Sequence, residues 1–465
     1  MFETFISELF KLQLITVIAL VLAFGAIAHM LSTRRKPRSM IAWMFVILTI
    51  PYIGIPLYVI FSGRKIEKSL LRKGRLSLTA HEKLSDFSCE VSKFLVSQKI
   101  PSPTSQNRVH ICKDGVEAYE IMMDLFENAK KSIYISTYIF GDDEITHKIV
   151  KKLCQKAKEG IEVKLLIDSL GSMRLEFFPE ILRQLQKAGG EYSFFNSFIQ
   201  DPIDFKINLR NHRKSIIVDK HIVISGGMNI AKEYMAPKAH ERLWVDLSFV
   251  IEGEAVDHYL EIFAFDWEYA TKESIELSRY EALDIKEETL VQVVPSGPDI
   301  ENDSFYEAML YALFIAKERI WIITPYFAPD QSILDALIVA KHRGVEIKIM
   351  VPDTSDHMII DVARNGFLRQ MQDENIDILF FRNKMLHAKA ILVDERFCVM
   401  GSANFDERSF FYNYETICFF YSQKEIEVAN EWMQRLFLEC TLGLKPAGKV
   451  RIVFENIFKM LSPAI

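Results

Sequence analysis

The sequence predicts an α/β fold of two similar domains, each a mixed β-sheet flanked by helices, behind an N-terminal transmembrane helical hairpin. Three observations carry this. The chain repeats itself: AKKSIYISTYIF from Ala129 to Phe140 returns as AKERIWIITPYF from Ala316 to Phe327. Inside each copy the apolar period switches between the 3.6 residues of a helix and the 2 of a strand. Ahead of both copies stand two apolar stretches, each about 20 residues long, the length a bilayer asks of a helix.

The first stretch runs from Leu12 to Leu31 and the second from Met40 to Phe61. At about 1.5 Å per residue either crosses a hydrocarbon core of about 30 Å. Ala26-Ile27-Ala28 resembles a signal-cleavage site, but the preceding residues carry Glu3 and Glu8 against Lys11 and lack a positive start, so residues 1–62 are expected to stay as an anchor. Arg34, Arg35, Lys36 and Arg38 separate the stretches, and Arg64, Lys65, Lys68, Arg72, Lys73 and Arg75 follow them. Two simple spans put these groups on opposite sides. A kink at Pro51, Gly54 and Pro56 into a re-entrant turn leaves both cytoplasmic. The larger second group favours a cytoplasmic catalytic region.

After a basic, helical linker (63–105), the repeats fill 106–280 and 290–445, joined by acidic, helix-like residues around Glu281 to Glu288. Each repeated segment leads through a helix into GIEVKLLID from Gly160 or GVEIKIMVPD from Gly344. Ile333, Leu334, Leu337 and Ile338 follow the helical period; Val163, Leu165 and Ile167 alternate as a strand does. Alternating helices and strands of this kind build a sheet covered by helices. Residues 446–465 form an amphipathic helix with Val450, Val453, Phe454, Ile457, Phe458 and Leu461 on one face, flanked by Lys449, Arg451 and Lys459. That face is expected to dock on the catalytic domain, with burial in the lipid interface as the alternative.

Composition narrows the function. A net charge of −6 over 465 residues argues against an extended nucleic-acid footprint. Six scattered cysteines without a C-x-x-C pair suggest neither zinc nor a disulfide framework and read as buried thiols in a reducing compartment.

The chemistry is concentrated in NHRKSIIVDKHIVISGGMN (Asn211 to Asn229) and LHAKAILVDERFCVMGSAN (Leu386 to Asn404). In both, a His is followed by Lys two residues on, Asp seven on, Gly fourteen on and Asn seventeen on. One His-x-Lys-x4-Asp arises by chance about one time in twenty or thirty in such a chain, at average residue usage. Two, with matching Gly and Asn, do not.

The spacing has a mechanical sense. Lys214 to Val218 reads as a strand, so His212 and Lys214 share a face and Arg213 takes the other; His387 and Lys389 repeat this. Asp219 and Asp394 complete the candidate catalytic set, although both fall at turns and are assigned mainly to structure. The returning strands end in Gly226-Gly227 and Gly401-Ser402, where small residues let a phosphate near the backbone, so Gly227 and Ser402 are expected at the substrate. Asn229 and Asn404 can donate to it. Lysine ammonium is no metal ligand, so neither a metal nor another cofactor is expected. Asp142, Asp143 and Asp330 read as loop or cap residues, and Tyr326 and Phe327 as core aromatics, with lipid contact as the alternative.

The paired motifs resemble those of the phospholipase D superfamily, and most of all its bacterial cardiolipin synthase family. RKPRSMIAW and PYIGIPLY, PYFAPD at Pro325, GSANFDERSFFYNYE at Gly401 and the final SPAI share the resemblance, which covers nearly the whole chain. It implies two phospholipase D-like domains and metal-independent, two-step transfer. One imidazole attacks a lipid phosphate and forms a phosphohistidine; the other protonates the departing glycerol, then deprotonates the acceptor. Family analogy favours His212 as nucleophile and His387 as acid and base. Lys214 and Lys389 would neutralise the phosphate, with Asn229 and Asn404 completing the cradle. Asp246 and Glu415 occupy the family's downstream acidic positions and would orient the imidazoles; which serves which is open. The implied reaction converts two phosphatidylglycerols into cardiolipin and glycerol at the bacterial cytoplasmic membrane. Hydrolysis, or transfer to another alcohol, is the alternative. A nuclease fits the hairpin and acidic balance poorly, and a non-catalytic lipid scaffold does not require two complete motifs.

Overall fold

The computed structural model describes residues 2–32, 37–61, 73–80, 87, 89–199, 209–277, 285 and 287–461. The chain divides into an N-terminal unit, mainly residues 1–66, and a main unit from residue 67 onward.

In the N-terminal unit, helix α1 spans Phe2–Ser32, and its Gln13–Ser32 part has a mean hydropathy of 2.5. Among the described residues it is the one helix long and apolar enough to cross a membrane. The second apolar stretch departs from the expected single span. It forms two short helices, α2 (Pro37–Thr49) and α3 (Pro51–Phe61). Proline disfavours helical geometry in the residue before it, which puts the break at Ile50. The chain then reverses so tightly that a Cβ on Gly54 would lie 2.7 Å from the Val46 carbonyl oxygen. Neither helix, at about 1.5 Å per residue, spans a core of about 30 Å. Arg34, Arg35, Lys36, Arg64, Lys65, Lys68 and Arg72 lie outside the described residues, as do most of the acidic linker and the final SPAI.

The main unit holds two sheets of one design. The first contains β1 (Asn107–Ile111), β2 (Ser132–Thr137), β3 (Glu162–Asp168), β4 (Glu191–Phe195), β5 (Ser215–Val218), β6 (Ile222–Gly226) and β7 (Ser248–Gly253), in the order β1-β7-β6-β5-β2-β3-β4. Helices connect the parallel run β2-β3-β4, and the remaining neighbours pair antiparallel.

The second copy supplies β8 (Val291–Ser296), β9 (Arg319–Ile323), β10 (Phe327–Ala328), β11 (Glu346–Pro352), β12 (Asp377–Phe381), β13 (Ala390–Val393), β14 (Phe397–Gly401), β15 (Phe405–Asp406), β16 (Glu415–Phe420) and β17 (Cys440–Leu442). Its main sheet runs β8-β16-β14-β13-β9-β11-β12-β17, the same path with one added edge strand. Strands β10 and β15 pair separately.

Alternation along the strands divides the core. In β5, Ile217 enters an apolar cluster shared by both sheets, while Ile216 and Val218 face the first copy's helices. In β13, Leu392 joins the shared cluster, and Ile391 and Val393 pack on the second copy's side. The two sheets are therefore fused through a common core, and Phe249 of β7 meets Phe420 of β16 edge-on at 5.1 Å.

The C-terminal helix, Lys449–Leu461, packs on the helix Met358–Asp373, but with the face opposite to the one expected. Glu455 is buried in the contact, whereas Val450, Val453, Phe454 and Ile457 remain exposed. A buried carboxylate answered by Arg369 and Arg451 fixes the orientation.

Candidate active site

Each motif is delivered by backbone pairing across the two copies. His212 N donates to the Tyr414 carbonyl at 2.8 Å and Tyr414 N to that of Arg210 at 2.9 Å. In the other direction His387 N donates to the Val245 carbonyl at 2.7 Å and Val245 N to that of Met385 at 2.8 Å. The residue after Tyr414 is Glu415, and the residue after Val245 is Asp246. This register sets each acid beside the histidine of the opposite copy. Glu415 meets His212 Nδ1 at 2.9 Å, and Asp246 meets His387 Nδ1 at 2.6 Å.

A carboxylate only accepts hydrogen bonds, so each Nδ1 carries the proton and each Nε2 keeps its lone pair. Burial drives both imidazoles down to about 4, the flanking lysines adding to it and the acids opposing it. Asp246 and Glu415 are lowered, because the attraction of their histidines and lysines outweighs a burial that acts the other way. At neutral pH the two pairs are neutral imidazole on carboxylate.

The lysines are buried too. Lys214 Nζ donates to the His212 carbonyl at 2.8 Å, and Lys389 donates to the His387 carbonyl. Burial lowers Lys214 to about 7 and Lys389 to about 8, with Glu415 and Asp246 resisting. Each lysine acts electrostatically on the histidine of the other copy. The two motifs therefore share one site. Arg213 does take the far face of its strand, and there it joins a buried network with Asp266 (2.7 Å), Asp299 (3.0 Å) and Lys73.

The remaining expected residues divide. Gly227 sits at the crossing point: a Cβ would fall 2.3 Å from Asp246 Oδ1 and 3.2 Å from Lys389 Cδ. Ser402 is not free for substrate. Its hydroxyl donates to Glu415 and accepts from Thr416 N at 3.0 Å, which makes it a support for the acid. Asn229 accepts from Ile139 N at 3.1 Å and also hydrogen-bonds the side chain of Tyr234. Asn404 Oδ1 is buried without a hydrogen-bond partner.

Asp219 and Asp394 lie away from the imidazoles. Each turns in the left-handed region, at φ 52° and 53°, and its carboxylate accepts three successive backbone amides, 130–132 or 317–319. They staple a β-hairpin to the start of β2 or β9. Asp143 and Asp330 cap helices, as expected. Among the described residues, no cluster of three or more His, Cys, Asp and Glu is placed to hold a metal ion.

A sequence model described as the cardiolipin synthase, phospholipase D-like domain matches residues 122–267 and 309–437, more than half of the chain. The chain belongs to the cardiolipin synthase family of the phospholipase D superfamily. A second model, described as the phospholipase D–nuclease N-terminal region, matches residues 16–63. The chain is 31% identical over 455 residues to a cardiolipin synthase of Clostridium perfringens, covering 92% of this chain and 95% of that one. It is 31% identical to cardiolipin synthase 1 of Bacillus cereus, covering 93% and 90%. It is 28% identical to the major cardiolipin synthase of Bacillus subtilis, covering 95% and 96%. The fold is similar to that of a phosphatidylserine synthase from Haemophilus influenzae, with a TM-score of 0.60 at 15% identity over 81% of this chain and 98% of that one. Membership makes the protein a phosphatidyltransferase.

In this member of the cardiolipin synthase family, aromatic rings close the site unequally. Tyr138 meets the His212 ring edge-on at 5.0 Å, whereas Tyr234 and Trp244, both from the first copy, enclose His387 at 5.0 and 5.5 Å. Position 138 becomes Pro325 in the second copy, and Tyr326, half-buried, donates to Asp356 at 2.5 Å. Only Phe327 is a core aromatic as expected. Comparing the copies reveals the Tyr138/Pro325 difference; no local pattern singles out Tyr234, Trp244 or Asp356.

Proposed function

We propose that the chain makes cardiolipin by moving a phosphatidyl group from one phosphatidylglycerol to another, releasing glycerol, through a phosphohistidine on His212. The observation that carries this is the crossed pairing, which supplies two buried, neutral, oriented imidazoles and two lysines around one site. In the first step His212 Nε2 attacks phosphorus. The P–O bond to glycerol breaks, and His387 gives the leaving oxygen its proton. In the second, His387 takes the proton of the acceptor hydroxyl, whose oxygen displaces His212 and restores the diester. Lys214 and Lys389 face the phosphate oxygens, with Asn229 beside them. A bound anionic diester answers the lysine charge that lowers both imidazoles, so one can hold a proton while the other stays a nucleophile. Asp246 and Glu415 hold the tautomers. Both phosphodiesters are of similar type, so no nucleotide is consumed.

The same reading takes 106–280 and 290–445 as two phospholipase D-like domains and places the protein in the bacterial cytoplasmic membrane. Basic segments prefer the cytoplasm, and both basic groups are read as lying there. The catalytic region then faces the cytoplasm.

Purified full-length protein in phosphatidylglycerol vesicles tests the reaction by lipid mass spectrometry. Cardiolipin and glycerol in equal amounts are expected, and neither from His387→Ala. Phosphatidic acid without cardiolipin would make the protein a hydrolase instead.

A further inference from the structure

The helix Lys449–Leu461 spends its polar face on the protein. Toward Met358–Asp373 it turns Glu455, held by Arg369 at 2.5 and 3.2 Å, and Lys459, which donates to Gln370 at 2.7 Å and lies over Phe367. Gly366 admits the backbone closely: a Cβ there would lie 3.1 Å from the Glu455 carbonyl oxygen. On the opposite side Val450, Val453, Phe454, Ile457 and Met460 are exposed, from 47% at Ile457 to 74% at Met460. An amphipathic helix of a globular protein ordinarily does the reverse.

The stripe has a charged border of one sign. Lys445, Lys449 and Arg451 are exposed beside it, and the only carboxylate on the helix, Glu455, is answered by Arg369 and Arg451. The neighbouring helix itself begins with two exposed apolar residues, Met358 and Ile359, 80% and 54% exposed. Asp356, two residues earlier, binds Tyr326 and lies within electrostatic reach of Lys389.

We propose that this face is a second membrane contact, lying in the headgroup layer of an anionic phospholipid bilayer. Apolar side chains with basic flanks and no unanswered acid are the composition such a layer binds. A second copy of the chain fits less well, since like stripes would set cation against cation. The proposal does not rest on the chemistry of transfer.

The test uses the full-length chain in vesicles of phosphatidylglycerol and phosphatidylcholine. Val453→Cys carries an environment-sensitive fluorophore, and the partly exposed Cys89, Cys154 and Cys440 are replaced by Ser. Lipids spin-labelled near the top of the acyl chain are expected to quench roughly half the emission, and less in vesicles without phosphatidylglycerol. Full emission with labelled lipid overturns the proposal. So does a dye already shielded in detergent and untouched by the labels, the signature of a protein covering the face. As a second measurement, Val453→Glu with Phe454→Glu is expected to lower turnover in vesicles about fivefold and to leave turnover on detergent-dispersed short-chain lipid unchanged. Equal loss in both media overturns it. Quenching requires no turnover, so it fails or succeeds apart from the proposed reaction.

Discussion

Replacing Glu415 by Gln isolates the crossed pairing, because the change removes a charge and one acceptor while keeping the shape. The carboxylate accepts from His212 Nδ1 at 2.9 Å, from Asn413 Nδ2 at 3.3 Å and from the Ser402 hydroxyl, using both oxygens. A carboxamide has one acceptor oxygen, so its NH2 must face at least one of these donors. Losing a charge-assisted bond costs about 1.5–3 kcal/mol, and the imidazole loses the negative charge that steadies it once phosphorylated. A total of about 3–5 kcal/mol, at about 1.36 kcal/mol per decade, lowers kcat by roughly two to four decades. The assay is a burst measurement with a phosphatidyl donor carrying p-nitrophenol, a leaving group that departs without a proton. Glu415→Gln and His212→Ala should show no burst, since the nucleophile is disabled. Asp246→Asn and His387→Ala should recover it, since only the acid is lost. A burst in Glu415→Gln, or kcat within about fivefold of the parent, refutes the assignment of Glu415 to a nucleophilic His212.

Three further outcomes follow from the geometry. In Gly227→Ala the new methyl collides with Asp246 and presses on Lys389, so kcat should fall on the order of a hundredfold while circular dichroism stays native. Asp219→Ala and Asp394→Ala each release three backbone amides, so each should lose about 2–3 kcal/mol in denaturant unfolding, with kcat of the folded enzyme within about threefold of the parent. The cationic lysines are the phosphate-binding form and fall to about 7 and 8, so kcat/KM should decline as pH rises through that interval. Neutral imidazole is the nucleophilic form, so the acid limb should lie near 4. Bound phosphate restores the lysine charge, so the alkaline limb of kcat should lie higher than that of kcat/KM.

What the sequence determined by itself is whatever short spacings encode. A two-residue interval on a strand put His212 with Lys214 and Arg213 on the opposite face, and the repeat showed that His387 and Lys389 are built alike. The turn positions of Asp219 and Asp394 and the caps of Asp143 and Asp330 were equally local. The tertiary structure decided which acid serves which histidine, because two copies with the same local code leave own-copy and opposite-copy pairing equally open. Only the backbone register at Tyr414 and Val245 breaks that tie. It also turned Ser402 from a substrate contact into a support for Glu415, and set Tyr234 and Trp244 of one copy around the histidine of the other. The C-terminal helix shows the same limit. Its apolar stripe is plain in the sequence, but a buried Glu455–Arg369 pair between distant segments determined that the stripe faces outward.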